Sequence, residues 1–179
     1  MSSTLSKLLA KDANWKRFLN ILEASERLSD FDNYANEVLN IHKGRKSRQL
    51  VYKASSAKRL IEANMQDISF RSRCVEIMIE VRRARRLLNI SLDSIKNHIL
   101  ATYQTYLSAY RTKAERDIYV SSLVSDAEAK LAEFESIIEV CELVVSDIDK
   151  TSWSMKSILD AMELIYRREN VLGTQVKTV

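Results

Sequence analysis

The sequence predicts an all-α protein, because of its composition and its hydrophobic spacing. The chain of 179 residues contains no proline and only two glycines, Gly44 and Gly173. Strands need tight turns, and tight turns depend on Gly, Pro, Asn and Asp, so a β-rich fold is not expected. Apolar residues recur instead at helical spacing among good helix formers. We therefore expect an elongated helical hairpin or bundle with long C-terminal helices, coiled-coil-like packing and an oligomeric state.

The length suits one domain, or one domain with an appendage, and four segments are predicted. Residues 1–41 form an N-terminal helical segment. Trp15, Phe18, Leu19 and Leu22 stand at i, i+3, i+4 and i+7, which is typical of one amphipathic helix, and a second short helix is expected over about 30–41. Residues 42–66 form a basic loop or linker, 67–170 a long-helix domain with a C-terminal oligomerisation part, and 171–179 a tail.

The predicted loop is distinguished by its charge. From His42 to Ile61 the chain has seven basic residues and no acidic residue, and Gly44 is its strongest helix-breaking signal. Beyond it, an apolar face begins near Ile77 and continues to Tyr110. The spacing does not decide whether 67–111 is one helix or two.

The C-terminal part carries the most regular pattern. Ser125 and Glu128 have the spacing of a capping box, which predicts a helix beginning at about residue 126. Three apolar positions in every seven then follow over nearly six heptads, with a short turn expected at 149–153. A stripe this wide packs against two neighbours, within a bundle or across an oligomer. The predicted oligomerisation residues are Leu131, Phe134, Ile137, Ile138, Cys141, Val144, Val145, Ile148, Trp153, Met155, Ile158, Leu159 and Met162.

Charge is divided unevenly along the chain. Residues 42–86 hold 13 Lys or Arg against 4 Asp or Glu, whereas 114–164 hold 4 against 12. Arg82, Arg85 and Arg86 share a helix face, and Arg83 is expected to pair with Glu80. Nucleic-acid phosphates, acidic protein surfaces (including this chain's own 114–164) and anionic membrane are the possible partners, in that order. The predicted nucleic-acid-binding residues are Lys43, Arg45, Lys46, Arg48, Tyr52, Lys53, Lys58, Arg59, Arg71, Arg82, Arg85 and Arg86.

No pattern indicates catalysis. Neither His42 nor His98 has a cysteine or carboxylate at metal-ligand spacing, and no phosphate-binding glycine loop is present. We expect no enzyme activity, no metal and no cofactor. Cys74 and Cys141 lie among apolar residues and are interpreted as buried free thiols in a reducing compartment. Without a signal-peptide pattern or a long apolar run, a cytoplasmic protein with no membrane partner is expected.

Residues 71–168 resemble the phage recombination-mediator family of the UvsY type. The resemblance rests on the stretch "ERDIYVSSLVSDAEAKLAEFESIIEVCELVVSDIDKTSWSMKSILDAMEL" at 115–164. Its features are a cap at 123–126, an apolar helix, a short basic turn, the aromatic Trp153 and the end 155–158. Residues 1–65 have no counterpart in the family, and Lys150-Thr151-Ser152 stands where a glycine is expected.

The resemblance implies a non-enzymatic, ring-like homo-oligomer in the host cytoplasm. It would bind single-stranded DNA and help load a RecA-like recombinase onto strands covered by a single-strand-binding protein. The alternative interpretation of the charge pattern is a helical structural or adaptor protein. Its basic face would then dock acidic protein partners, or neighbouring subunits in a larger assembly.

Overall fold

The computed structural model describes residues 2–28, 31–49 and 57–175, with side chains over 5–25, 33–45 and 58–168. These ranges contain no strand. The all-α prediction is confirmed, and long helices pack against each other. The helices are α1 (Ser2–Leu9), α2 (Ala13–Leu28), α3 (Phe31–Gln49), α4 (Ala57–Thr102), α5 (Gln104–Leu107), α6 (Lys113–Leu123) and α7 (Ser125–Gln175).

The chain divides into two compact units. Unit 1 comprises Met1–Ala35 and Met78–Glu139, and unit 2 comprises Asn36–Ile77 and Val140–Val179. Helices α3, α4 and α7 therefore each contribute a part to both units.

Unit 1 is built on the antiparallel packing of α4 and α7. Arg85 of α4 pairs with Glu135 of α7, and Lys96, further along α4, pairs with Glu128, earlier in α7. The buried apolar positions of α4 here are Met78, Val81, Ala84, Leu88, Leu92, Ile95 and Ile99, and those of α7 are Ala127, Phe134, Ile137 and Ile138. Fully burying one such aliphatic side chain contributes roughly 1.5–3 kcal/mol, so this seam holds the unit together.

Helix α2 is joined to α4 by a small polar cluster within unit 1. The Asp12 carboxylate accepts hydrogen bonds from the backbone N–H groups of Asn14 and Trp15, which begins α2. The same carboxylate contacts His98 Nε2 at 2.9 Å and accepts a 2.7 Å bond from the Tyr103 hydroxyl. These bonds, first of all those of His98 and Tyr103, lower the pKa of Asp12, and the bond to Asp12 raises the pKa of Tyr103 to about 12.

Unit 2 repeats the antiparallel arrangement with α3 as a third helix. Asn64 of α4 accepts a 3.1 Å bond from the Ser152 hydroxyl of α7, and Arg73 of α4 pairs with Glu37 of α3 at 2.7 Å. The buried apolar side chains of the unit are Val38, Ile41, Leu60, Cys74, Ile77, Cys141, Val144, Ile148 and Met155.

Helix α3 corrects the predicted loop at 42–66. The helix continues through Gly44 to Gln49, and α4 begins at Ala57, which leaves residues 50–56 outside the described part. The sequence signal failed because a glycine only lowers helix propensity by about 1 kcal/mol. Packing overrides a penalty of that size, since Val38, Ile41 and Arg45 on one face of α3 are all buried.

The structure also answers the question about α4 that the spacing left open, and it changes three smaller expectations. Helix α4 is one continuous helix to Thr102, and α7 runs without interruption through the turn predicted at 149–153 and into the predicted tail. A helix does begin near residue 126, but the capping box in the structure belongs to α6. Thr112 and Glu115 exchange the two reciprocal bonds, each 3.1 Å long. Ser125 cannot act as the cap because it already lies inside α7, with only Val124 separating it from α6.

Candidate nucleic-acid interface

The arginine cluster of α4, which comprises Arg82, Arg83, Arg85 and Arg86, lies on the solvent side of unit 1. Successive residues of a helix are about 100° apart, so Arg83 and Arg86 point away from the buried face formed by Val81, Ala84 and Leu88. Both side chains are exposed, and no ion pair is recorded for either in the described part of the chain. They are therefore accessible cations on a rigid helix.

Carboxylates from the acidic half of the chain neutralise other arginines of α4. In unit 1, Glu135 of α7 pairs with Arg85. In unit 2, Asp149 holds Arg71 through two bonds, from Nε at 2.8 Å and from Nη2 at 3.4 Å. These hydrogen bonds raise the pKa of Arg71. Part of the charge division seen in the sequence is thus an intrachain pairing of basic α4 with acidic α7.

Among the predicted residues whose side chains are described, Arg45 lies furthest from solvent. Its side chain is 2% exposed, and it pairs with Asp67, which has 0% exposure, at 3.1 Å. Arg45 also donates to the carboxylate of Asp147 and, at 3.2 Å, to the Thr151 hydroxyl. Burial lowers the pKa of Arg45, but the bonds to Asp67 and Asp147 outweigh it and the pKa is raised. A phosphate group cannot reach this guanidinium, so Arg45 is a structural residue.

Arg83 was expected to pair with Glu80. The structure instead places the Tyr34 hydroxyl on the Glu80 carboxylate. The expectation failed because i, i+3 spacing only permits a pair, and a partner from α3 competes for the carboxylate. Arg83 thereby joins the candidate interface, from which sequence reasoning had left it out.

The twelve predicted nucleic-acid-binding residues divide into four groups. Lys43, Lys58, Arg59, Arg71, Arg82, Arg85 and Arg86 are exposed. Arg45 is buried. Lys46 and Arg48 lie on α3, but their side chains are outside the described part. Tyr52 and Lys53 lie wholly outside it.

The thirteen predicted oligomerisation residues also divide. The side chains of Phe134, Ile137, Ile138, Cys141, Val144, Ile148 and Met155 are buried within the chain. They are core residues, because intrachain packing already covers the stripe there. Leu131, Val145 and Leu159 are partly covered, and Trp153, Ile158 and Met162 are exposed.

The C-terminal part of α7 is exposed to solvent, unlike the part that packs in the core. Every side chain from Asp160 to Arg168 is exposed. Ile158, Met162, Ile165 and Tyr166 continue the apolar spacing of the helix there, and we call them the apolar end of α7. Trp153, 74% exposed, precedes them, so large apolar side chains are concentrated in this region.

Sequence reasoning missed the buried ion pair, although a signal for it exists. Leu60, Asp67, Cys74, Val81, Leu88 and Ile95 are each seven residues apart, and all six are buried. Asp67 is the one charged residue in that series. A carboxylate at a core position of a heptad series requires a cation from another element, and Arg45 supplies it.

The described residues contain no group of three or more His, Cys, Asp or Glu side chains placed to hold a metal ion. None of their helices is long and apolar enough to cross a membrane.

The fold and its surfaces define an all-α protein of long packed helices, with exposed arginines on α4 and exposed apolar residues on α7. Comparison with protein-family models, with curated proteins and with solved structures found no match.

Proposed function

We propose that this chain is a non-enzymatic, single-stranded-DNA-binding recombination mediator that acts as a homo-oligomer and helps load a RecA-like recombinase. The observation that carries the proposal is the exposure of Arg83 and Arg86 on the outer side of α4, where no carboxylate of the described chain pairs with them. Guanidinium groups on a rigid helix suit phosphate oxygens, which they bind through two parallel hydrogen bonds.

The ion pairs within the chain show which arginines are less available to bind DNA phosphate. Glu135 and Asp149 compete with phosphate for Arg85 and Arg71, so these two arginines are secondary contacts. Lys58 and Arg59 are exposed on the part of α4 that belongs to unit 2 and offer further cations there. The resemblance of residues 71–168 to recombination mediators supplies the substrate class and the roles of the recombinase and of the single-strand-binding protein.

The proposed oligomer rests on the apolar end of α7. Apolar side chains exposed at helical spacing are typical of a surface that packs against another helix. A second copy of the chain offers the same surface, and association through it would repeat the arginines of α4 around one particle. Repetition converts a weak contact per subunit into tight binding of a long strand.

The proposal is tested by anisotropy of a labelled oligothymidine strand over a series of salt concentrations. We expect the affinity of the wild-type chain to fall steeply with salt, because bound phosphates release counterions. The double variant Arg83→Glu/Arg86→Glu should bind about tenfold more weakly, or worse, at low salt. The matched control is Lys150→Glu/Lys156→Glu, which makes the same charge change at exposed positions of α7.

Two results would contradict the DNA-binding proposal. One is an affinity that is flat with salt. The other is equal weakening by the control, because that would make net charge rather than the α4 surface responsible.

The second candidate is a helical structural or adaptor protein. The observation that favours it is the ion pairing of Arg71 and Arg85 with α7 carboxylates, which leaves fewer cations for a nucleic acid. On this candidate, Arg83 and Arg86 dock an acidic protein surface. No binding of oligothymidine at low salt, together with a stable complex with an acidic protein, would favour it.

A further inference from the structure

Unit 2 contains a pair of thiols at the contact between α4 and α7. Cys74 and Cys141 are both free and both 0% exposed. Asn64 and Ser152 fix the antiparallel register of the two helices. Cys74 lies ten residues after Asn64 on α4, and Cys141 lies eleven residues before Ser152 on α7. The two cysteines therefore stand opposite each other at one level of the helix pair.

The two thiols also influence each other's ionisation. A hydrogen-bond interaction between them lowers the pKa of Cys74 and raises that of Cys141. Burial raises the pKa of both thiols, so it opposes the lowering at Cys74 and adds to the raising at Cys141. The charges of Arg45 and Arg73 help to lower the pKa of Cys74, and the charge of Glu37 acts against that lowering. The pair is thus chemically asymmetric, with Cys74 the better nucleophile.

We propose that Cys74 and Cys141 form an oxidant-driven covalent staple between α4 and α7, with a peroxide as the oxidant. Facing positions on packed helices can bring two cysteines within the Cα separation of about 4.4–6.8 Å that a disulfide requires. This inference is independent of the proposed function, because it uses only the interior of unit 2.

The reaction takes two balanced steps. The Cys74 thiolate attacks one peroxide oxygen, so that an S–O bond forms and the O–O bond breaks. The departing hydroxide takes the proton shed by Cys74 and leaves as water. The Cys141 sulfur then attacks the sulfenic sulfur, the S–S bond forms and the S–O bond breaks. The second hydroxide leaves as water with the proton of Cys141, and two electrons pass from the thiols to one peroxide.

Because both sulfurs are buried, the disulfide can form only when an oxidant gains access to them. With no exposed surface on either sulfur, the oxidant enters when the α4–α7 contact of unit 2 opens locally. The disulfide then closes a long loop and restricts the unfolded chain. Oxidation is therefore expected to stabilise the helix pair that it joins, and a reductant such as dithiothreitol reverses it.

The test treats the reduced full chain with hydrogen peroxide and measures intact mass and free thiols. We expect a mass loss of about 2 Da, which is two hydrogens per chain, with no thiol left to alkylate after denaturation. The urea midpoint should rise, and dilute urea below that midpoint should speed the reaction. Two free thiols after treatment, with and without dilute urea, or a disulfide between chains, would overturn the proposal.

Single variants identify the nucleophile. Cys141→Ala leaves Cys74 without a partner, so its sulfenic acid should be trapped by dimedone. Cys74→Ala should react with dimedone much more slowly. Circular dichroism establishes that each variant is folded, and alanine fits the space of a buried cysteine with a small loss of volume. Equal labelling of the two variants would overturn the assignment of Cys74.

Discussion

Asp67 has no exposed surface, and its charge is tolerated only because Arg45 reaches it from α3. Removing an ion from water is unfavourable, and an uncompensated buried charge is the worst case. The pair is therefore a strong constraint on which part of α3 packs against α4. It also explains why a cation in a basic stretch was misassigned. Charge counting along a sequence does not distinguish a buried arginine from a solvated one.

Arg45→Met should lower the free energy of unfolding by about 3 kcal/mol or more, because it leaves Asp67 buried and uncompensated. The double variant Arg45→Met/Asp67→Leu should recover most of that loss, since an apolar pair can replace a buried ion pair. Urea unfolding followed by circular dichroism measures both.

The matched control is Arg71→Met, which removes an exposed pair with Asp149 and should change stability far less than Arg45→Met does. A double variant no more stable than Arg45→Met would contradict the coupling of Arg45 and Asp67.

At the scale of the element, α3 shows how packing overrides a local signal. Gly44 has an ordinary helical conformation, with no positive φ, and a Cβ added there would meet nothing within 4 Å. The residue thus performs no task that needs glycine. Its tendency to break the helix is a small term beside the burial of Val38, Ile41 and Arg45 on the inner face.

Gly44→Ala should therefore raise the free energy of unfolding by about 0.5–1 kcal/mol, because alanine loses less backbone entropy in a helix. Thermal or urea unfolding checks it. Asn40→Gly, at an exposed position one turn earlier on α3, is the reverse control and should lower stability. If Gly44→Ala has no effect or destabilises the chain while the control behaves as expected, α3 does not continue through residue 44 in solution.

The presence of the long helices was easier to predict from the sequence than the residues at which they begin and end. Apolar spacing identified α2, and the capping-box spacing of Ser125 and Glu128 placed the start of α7 near residue 126. Neither signal extended α3 past residue 41 or α7 across 149–153. A helix boundary depends on bonds to particular partners. Thr112 and Glu115 form the capping box that Ser125 and Glu128 had the spacing to form, and spacing alone cannot choose between them.

For the whole molecule, the distribution of exposed apolar surface locates the possible site of self-association. Most of the C-terminal stripe is covered by this chain itself, whereas the four side chains of the apolar end of α7 are exposed. The proposed assembly therefore depends on Ile158, Met162, Ile165 and Tyr166 rather than on the stripe as a whole.

Ile158→Glu/Ile165→Glu should reduce the native mass to that of a monomer, because two charges would have to be buried in the helix contact. Sedimentation at micromolar concentration measures the mass. Leu143→Glu, at an exposed position of α7 outside the apolar end, should leave it unchanged. A wild-type chain that sediments as a monomer would contradict the proposed oligomer.

The helical class, the positions of the main apolar faces and the division of charge can all be predicted from the sequence. They follow from composition and periodicity, which are properties of neighbouring residues. Which cations remain accessible depends on how the helices pack. Arg45, Arg71 and Arg85 meet carboxylates that lie far away in sequence, whereas Arg83 and Arg86 do not. The reason is physical, because burial and ion pairing depend on which helices meet and in what register, and periodicity within one helix carries no information about its neighbour.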